Sequence, residues 1–163
     1  MNRILKAAFL SAYSVLLWRL IAGGLLFYAS FDKIDRPRSF SVAIEAYKLA
    51  PAWALDPLAW LIPRVELVAG CFLALGILTR AAALISGGLY AVFTVGIAQA
   101  LLRGLDITDC GCGITGAEPI SWALVVRDIV LLAMCALAFF APSNRLALDR
   151  VIFPKPQDQS PDP

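Results

Sequence analysis

The chain has 163 residues, of which 60% are hydrophobic and 16% are charged, and its net charge is +2. With a mean hydropathy of +0.77 it is too apolar for a soluble domain of this size, so we expect one lipid-embedded domain. The small net charge argues against nucleic acid as a partner. The sequence contains no histidine, which removes the commonest general base and most haem and zinc sites.

Four hydrophobic segments are each long enough, at about 20 residues, to cross a hydrocarbon core of about 30 Å. They span residues 11–31, 57–78, 81–102 and 119–140. Because a helix satisfies its own backbone in lipid, these segments predict an all-α, polytopic membrane four-helix bundle. We assign residues 1–142 to this domain. The remainder, residues 143–163, is proline-rich and polar, and we expect a cytoplasmic tail that is disordered at its end.

The link between the first two segments contains SFSVAIEAYK, which puts Phe40, Ile44 and Tyr47 on one helical face. This pattern predicts a short amphipathic helix along the membrane interface, and an ordinary loop is the alternative. Basic residues are almost evenly divided between the two sides, and we choose the orientation with both termini in the cytoplasm. The polar loop before the fourth segment then faces the periplasm of a bacterial inner membrane.

That polar loop, DITDCGCGITG, contains Cys110 and Cys112, separated by one glycine. A disulfide across so small a ring is strained and exchanges readily, so the pair predicts a redox-active dithiol. A static disulfide and a soft-metal site are the alternatives, although the loop has no His or Met to complete a metal site. Cys71 and Cys135 lie in apolar segments and are interpreted as buried packing residues.

Ionisable side chains inside membrane helices are costly and usually face the bundle interior. Glu66 and Asp128 would lie about 14 Å below the outer ends of their helices, and Arg19 about 18 Å. We therefore predict a charged layer beneath the cysteine loop, formed by Arg19, Glu66, Arg127 and Asp128. The layer could support a thiolate or a reduced quinone, or it could be an ion-pair network that fixes helix order.

The sequence resembles the MauE/DoxX family of small bacterial membrane proteins over about residues 14–140. The matching features are Arg19, SFDKIDRPRSFSVAIEAYKLAP, PRVELVAGCFLALGILTR, the CGCG loop and VVRDIVLL. One departure is that an aromatic residue often follows the family's Cys-Gly-Cys, whereas Gly113 and Ile114 stand here.

The resemblance implies a four-helix membrane bundle linked to methylamine utilisation. MauE-like proteins are associated with maturation of the disulfide-rich small subunit of methylamine dehydrogenase, beside a thioredoxin-like periplasmic partner. The expected function is therefore membrane thiol–disulfide redox chemistry, with a quinone as a candidate cofactor and no resident metal. The alternatives are a structural or chaperone-like subunit, a DoxX-type component of quinone-linked sulfur oxidation, or a soft-metal carrier.

Overall fold

A computed structural model of the protein describes residues 12–111 and 119–141. These residues form helices and no strand, which confirms the predicted all-α class. Cys112 and the predicted tail at 143–163 lie outside the described residues. The helices are α1 (Ala12–Asp35), α2 (Pro37–Ala46), α3 (Ala52–Leu75), α4 (Thr79–Leu102) and α5 (Trp122–Phe140).

Four of these helices, α1, α3, α4 and α5, are long and apolar enough to cross a membrane, as the sequence predicts. The first continues to Asp35, beyond the predicted end near residue 31, and so carries Lys33 within a spanning helix. Helix α3 begins at Ala52 and continues through Pro57, a residue type that is common at the first position of a helix. The preceding Asp56 accepts a hydrogen bond from Ser41 in α2 at 3.1 Å. Asp56 therefore links the beginning of α3 to α2.

The buried residues of the spanning helices recur at alternating intervals of three and four, the spacing of a coiled-coil seam. In α1 this seam contains Val15, Arg19, Ala22, Leu26, Ala29 and Lys33. In α3 it contains Ala59, Pro63, Glu66, Gly70 and Leu73. In α5 it contains Leu124, Asp128, Leu131, Cys135 and Ala138. Each of these three seams therefore brings at least one charged side chain to the bundle interior.

The backbones of helices α1 and α3 are in close contact at Gly23 and Gly70. A Cβ built on Gly23 would lie 2.6 Å from the carbonyl oxygen of Gly70 and 2.8 Å from the backbone nitrogen of Ala74. Backbone atoms cannot move aside as a flexible side chain can, so only glycine fits here. Small residues at such crossings let membrane helices pack through van der Waals contact.

We expect Gly23→Ala to lower the free energy of unfolding by about 1–3 kcal/mol, because the added methyl group overpacks a backbone contact. The adjacent Gly24 is the matched control, since a Cβ there meets nothing within 4 Å. Gly24→Ala should be neutral or slightly stabilising, by up to about 1 kcal/mol of helix propensity. Thermal unfolding in detergent, followed by circular dichroism, measures both variants. Equal melting temperatures for the two would contradict the close packing.

Candidate functional site

Cys110 lies in the loop after α4 and packs against the end of the bundle where α4 ends and α5 begins. It is buried among Ile97 of α4 and Leu124 and Val125 of α5. Cys110 is disulfide-bonded, whereas Cys71 and Cys135 are free thiols. The fourth cysteine of the sequence is Cys112.

Helix α2 holds this loop in place. The Tyr47 hydroxyl, just past the end of α2, donates a 2.9 Å hydrogen bond to the carbonyl oxygen of Cys110. Gly111 has φ of +67°, and a Cβ there would lie 3.1 Å from Ala43 and 3.3 Å from Phe40. Glycine is therefore required at 111 both by the left-handed backbone and by the close contact with α2.

A cavity of about 300 Å³ lies beside Cys110, between α1, α2, α3, α4 and α5. Its walls are mainly apolar, from residues such as Leu26, Ala43, Ile62 and Phe93. Its polar and ionisable lining groups are Lys33, Tyr47, Glu66, Tyr90, Arg127 and Asp128. An apolar cavity with a few convergent polar groups is typical of a small-molecule site.

The deepest polar group of this cavity is a buried ion pair between α1 and α3. Lys33 Nζ lies 2.6 Å from Glu66 Oε1, and the two side chains are 4% and 0% exposed. The ammonium also lies over the Phe40 and Phe93 rings, at 5.2 and 4.8 Å from their centroids. The second carboxylate oxygen, Glu66 Oε2, is buried with no hydrogen-bond partner among the described residues.

A second ion pair lies on the α5 wall of the cavity. Arg127 binds Asp128 Oδ1 through both Nε and Nη2, at 3.0 Å each. Asp128 is buried, while Arg127 is 27% exposed and can extend toward the polar end. The structure thus gathers three of the four residues of the predicted charged layer around one cavity, together with Cys110.

Arg19, the fourth residue of that predicted layer, is separated from this group. It is buried, and it donates hydrogen bonds to the carbonyl oxygens of Leu73 at 3.0 Å and Ala74 at 3.3 Å. These carbonyls belong to the last turn of α3, where backbone acceptors have no partner within the helix. Arg19 therefore caps the far end of α3, where a cation also complements the helix dipole.

Lys33 is a cavity residue outside the predicted site, because the predicted first segment ends at residue 31. Its signal lies in the seam of α1, where Leu26, Ala29 and Lys33 continue the spacing of three and four. A lysine in register with a buried seam indicates that the helix and its interior face extend to that point.

The hydroxyl of Tyr47, which binds the cysteine loop, has a raised pKa. Burial of its side chain, and then the nearby carboxylates of Asp109 and Asp128, raise the pKa of Tyr47 from 10.0 to about 12. The hydroxyl therefore remains a hydrogen-bond donor to the Cys110 carbonyl at every physiological pH.

We expect the stability that Tyr47 contributes to shrink as the pH rises from 10 to 12. In this range the unfolded chain loses the phenolic proton while the folded protein retains it, so unfolding becomes more favourable. Tyr47→Phe should cost about 1 kcal/mol at neutral pH through the lost hydrogen bond. The difference in melting temperature between wild type and Tyr47→Phe should then narrow at alkaline pH. A difference that stays constant across this range would contradict the raised pKa.

Among the described residues, no group of three or more His, Cys, Asp or Glu side chains could hold a metal ion. The family model described as "Methylamine utilisation protein MauE" matches residues 11–141, which is most of the chain. The chain belongs to the MauE family. No solved structure matches the chain.

The curated relatives of this chain are also MauE proteins. The chain is 33% identical over 123 residues to the methylamine utilization protein MauE of Paracoccus denitrificans, covering 74% of this chain and 66% of the relative. It is 34% identical over 120 residues to the protein of that name from Methylorubrum extorquens, covering 72% of this chain and 64% of the relative. The match therefore spans slightly less than two thirds of these MauE relatives.

Proposed function

We propose that this protein is a membrane thiol–disulfide redox protein that assists disulfide formation in a periplasmic enzyme of methylamine metabolism. Cys110 and Cys112 are the proposed redox pair. The observation that carries the proposal is a disulfide-bonded Cys110 on the wall of an apolar cavity that also contains two ion pairs. Membership of the MauE family supports the assignment to methylamine utilisation.

In the proposed exchange, a thiolate of a reduced thioredoxin-like partner attacks one sulfur of the Cys110–Cys112 disulfide and forms a mixed disulfide. The second thiol of the partner then attacks the mixed disulfide, so the partner leaves oxidised and the Cys110–Cys112 pair becomes a dithiol. Two electrons have passed from the partner to the pair. Lys33 and Arg127, which line the same cavity from α1 and α5, supply positive charge, which favours a thiolate in the reduced pair.

A structural role for the disulfide is the second candidate, and one observation favours it. The Cys110 carbonyl is tied to Tyr47, and Gly111 packs against α2, so the disulfide could serve to hold the loop on the bundle. The two roles differ in reactivity, because a static structural disulfide resists mild reductant whereas an exchanging one does not.

The proposed location is the bacterial inner membrane, with the cysteine loop in the periplasm. A Cys71→Ala/Cys135→Ala background leaves Cys110 and Cys112 as the only cysteines. Whole cells carrying this background should incorporate a membrane-impermeant maleimide at both positions after mild reduction, and at neither without reduction.

Two results would count against this proposal in different ways. Labelling that requires denaturation before reduction would favour the static disulfide. Labelling confined to inverted vesicles would reverse the orientation while leaving the redox role intact. Wild-type cells that have not been reduced are the control for background labelling, because their free thiols, Cys71 and Cys135, lie within membrane-spanning helices.

A further inference from the structure

The cavity beside Cys110 extends to the lipid-facing side of the bundle. Val92, which lines it, is 64% exposed and lies near the middle of α4, a membrane-spanning helix. An exposed residue at this depth faces hydrocarbon and not water. The cavity is therefore accessible to a molecule dissolved in the bilayer.

The inner end of the cavity presents hydrogen-bonding groups that the protein itself does not use fully. Glu66 Oε2 is completely buried and has no donor among the described residues. The Lys33 ammonium has three protons, and its hydrogen bond in the described structure uses one of them, on Glu66 Oε1. A buried acceptor without a donor is costly. A ligand that can both donate to Oε2 and accept from Lys33 would satisfy both groups.

The volume and lining restrict the ligand further. The cavity volume of about 300 Å³ is at the lower end of the range for small-molecule sites. It is large enough for a substituted ring but too small to hold both the ring and a long chain attached to it. The apolar walls suit a flat hydrophobic ring. The lipid-facing opening suits an apolar tail that remains in the bilayer.

We propose that this cavity is a quinone site, in which the ring lies between Cys110 and the Lys33–Glu66 pair and the tail leaves past Val92. This proposal rests on the proposed redox function and names its electron acceptor. A quinone carbonyl accepts a hydrogen bond from Lys33, and a hydroxyl of the reduced ring donates to Glu66 Oε2. The ammonium stabilises the negative charge that develops on the ring oxygen as electrons arrive.

The step that restores the disulfide needs one quinone as its oxidant and no other reactant. The Cys110 and Cys112 thiols lose two protons and two electrons as their S–S bond forms. Both electrons and both protons pass to the quinone, which leaves as hydroquinone. The pair is then ready to accept electrons from the next reduced partner.

Gly96 allows the cavity to be filled without disturbing the bundle. It lines the cavity on α4, and a Cβ there first meets Leu49 Cδ1 at 4.0 Å, an ordinary contact. Gly96→Leu should therefore occupy the quinone space. Gly88→Leu is the matched control, because Gly88 is exposed on the same helix and has nothing within 4 Å of a Cβ.

The purified protein is reduced, freed of reductant and mixed with a benzoquinone carrying a single isoprenoid unit. Wild type should reduce one quinone per pair of thiols lost, with quinone followed by absorbance and thiols by maleimide mass shift. Gly96→Leu and Glu66→Gln should slow quinone reduction by about tenfold or more, whereas Gly88→Leu should match wild type. Gly96→Leu and Gly88→Leu should still exchange disulfides with reduced thioredoxin, which is followed separately.

An azido-substituted benzoquinone gives a readout that does not depend on turnover. In the oxidised protein it should label peptides of α2 and α4 that line the cavity, and Gly96→Leu should abolish this labelling. Even labelling along the lipid face, or equal effects of Gly96→Leu and Gly88→Leu, would overturn the quinone site. Normal exchange with thioredoxin but no quinone reduction by wild type would overturn it while leaving the proposed function standing. Loss of thioredoxin exchange in wild type would remove both.

Discussion

Glu66→Ala and Lys33→Met should each lower the free energy of unfolding by about 3–5 kcal/mol, because each leaves an unpaired charge in the bundle interior. Lys33 Nζ and Glu66 Oε1 are 2.6 Å apart, and both side chains are almost inaccessible to solvent. The charge left by either substitution therefore cannot reach water without local unfolding. Thermal unfolding in detergent, followed by circular dichroism, measures the loss.

The double variant Lys33→Met/Glu66→Leu separates a stranded charge from lost packing. Replacing a buried pair by apolar side chains of similar volume is often neutral or stabilising, so this variant should recover most of the loss. Arg38→Ala is the control, since Arg38 is exposed in α2 and its change should lie within about 0.5 kcal/mol. If both single variants have the melting temperature of wild type, Lys33 and Glu66 are not a buried pair.

Cys110→Ser and Cys112→Ser should each abolish disulfide exchange with the partner while leaving the bundle folded. Exchange passes through a mixed disulfide between the partner and one of the two cysteines, while the other cysteine is released as a thiol. The variant that keeps the cysteine bonded to the partner should accumulate a covalent adduct, because it lacks the second cysteine that would release the partner, and the other variant should not. Non-reducing electrophoresis of each variant from the native host, with free thiols blocked on lysis, reveals this asymmetry.

Cys71→Ala and Cys135→Ala are the matched controls for the cysteine variants. Both residues are free thiols within spanning helices, and both variants should retain full exchange activity. The redox proposal fails if Cys110→Ser and Cys112→Ser form no adduct and both remain fully active. The disulfide would then be assigned the structural role of holding the loop on α2.

The class of fold could be predicted because it depends on local properties of the chain. Four apolar segments of spanning length leave few alternatives to a helical bundle in lipid. The amphipathic pattern of SFSVAIEAYK likewise predicted the short helix now seen as α2, since its period depends only on residue order. Helix ends were less predictable. Pro57 resembles a helix start, yet α3 begins at Ala52, and the turn before Pro57 is bound to α2 through the hydrogen bond from Ser41 to Asp56.

Partners of the charged residues could not be predicted, because depth along a helix does not specify which side chains meet. Arg19 and Glu66 were placed in one layer by counting residues, but Arg19 binds the last carbonyls of α3 and Glu66 binds Lys33. The tilt and register of α1 against α3, which bring Gly23 against Gly70, decide these pairings.

The sequence by itself therefore determined the all-α class of fold and the four helices that are long and apolar enough to cross a membrane, and it predicted Cys110, Glu66 and Asp128 as site residues. Only the tertiary structure decided that Cys110, Lys33, Glu66, Arg127 and Asp128 surround one cavity, and that Arg19 does not. The physical reason is that hydrophobic length and periodicity act within a segment. A cavity, by contrast, is the space left where five helices fail to fill their common interior, and it depends on all of their relative positions at once.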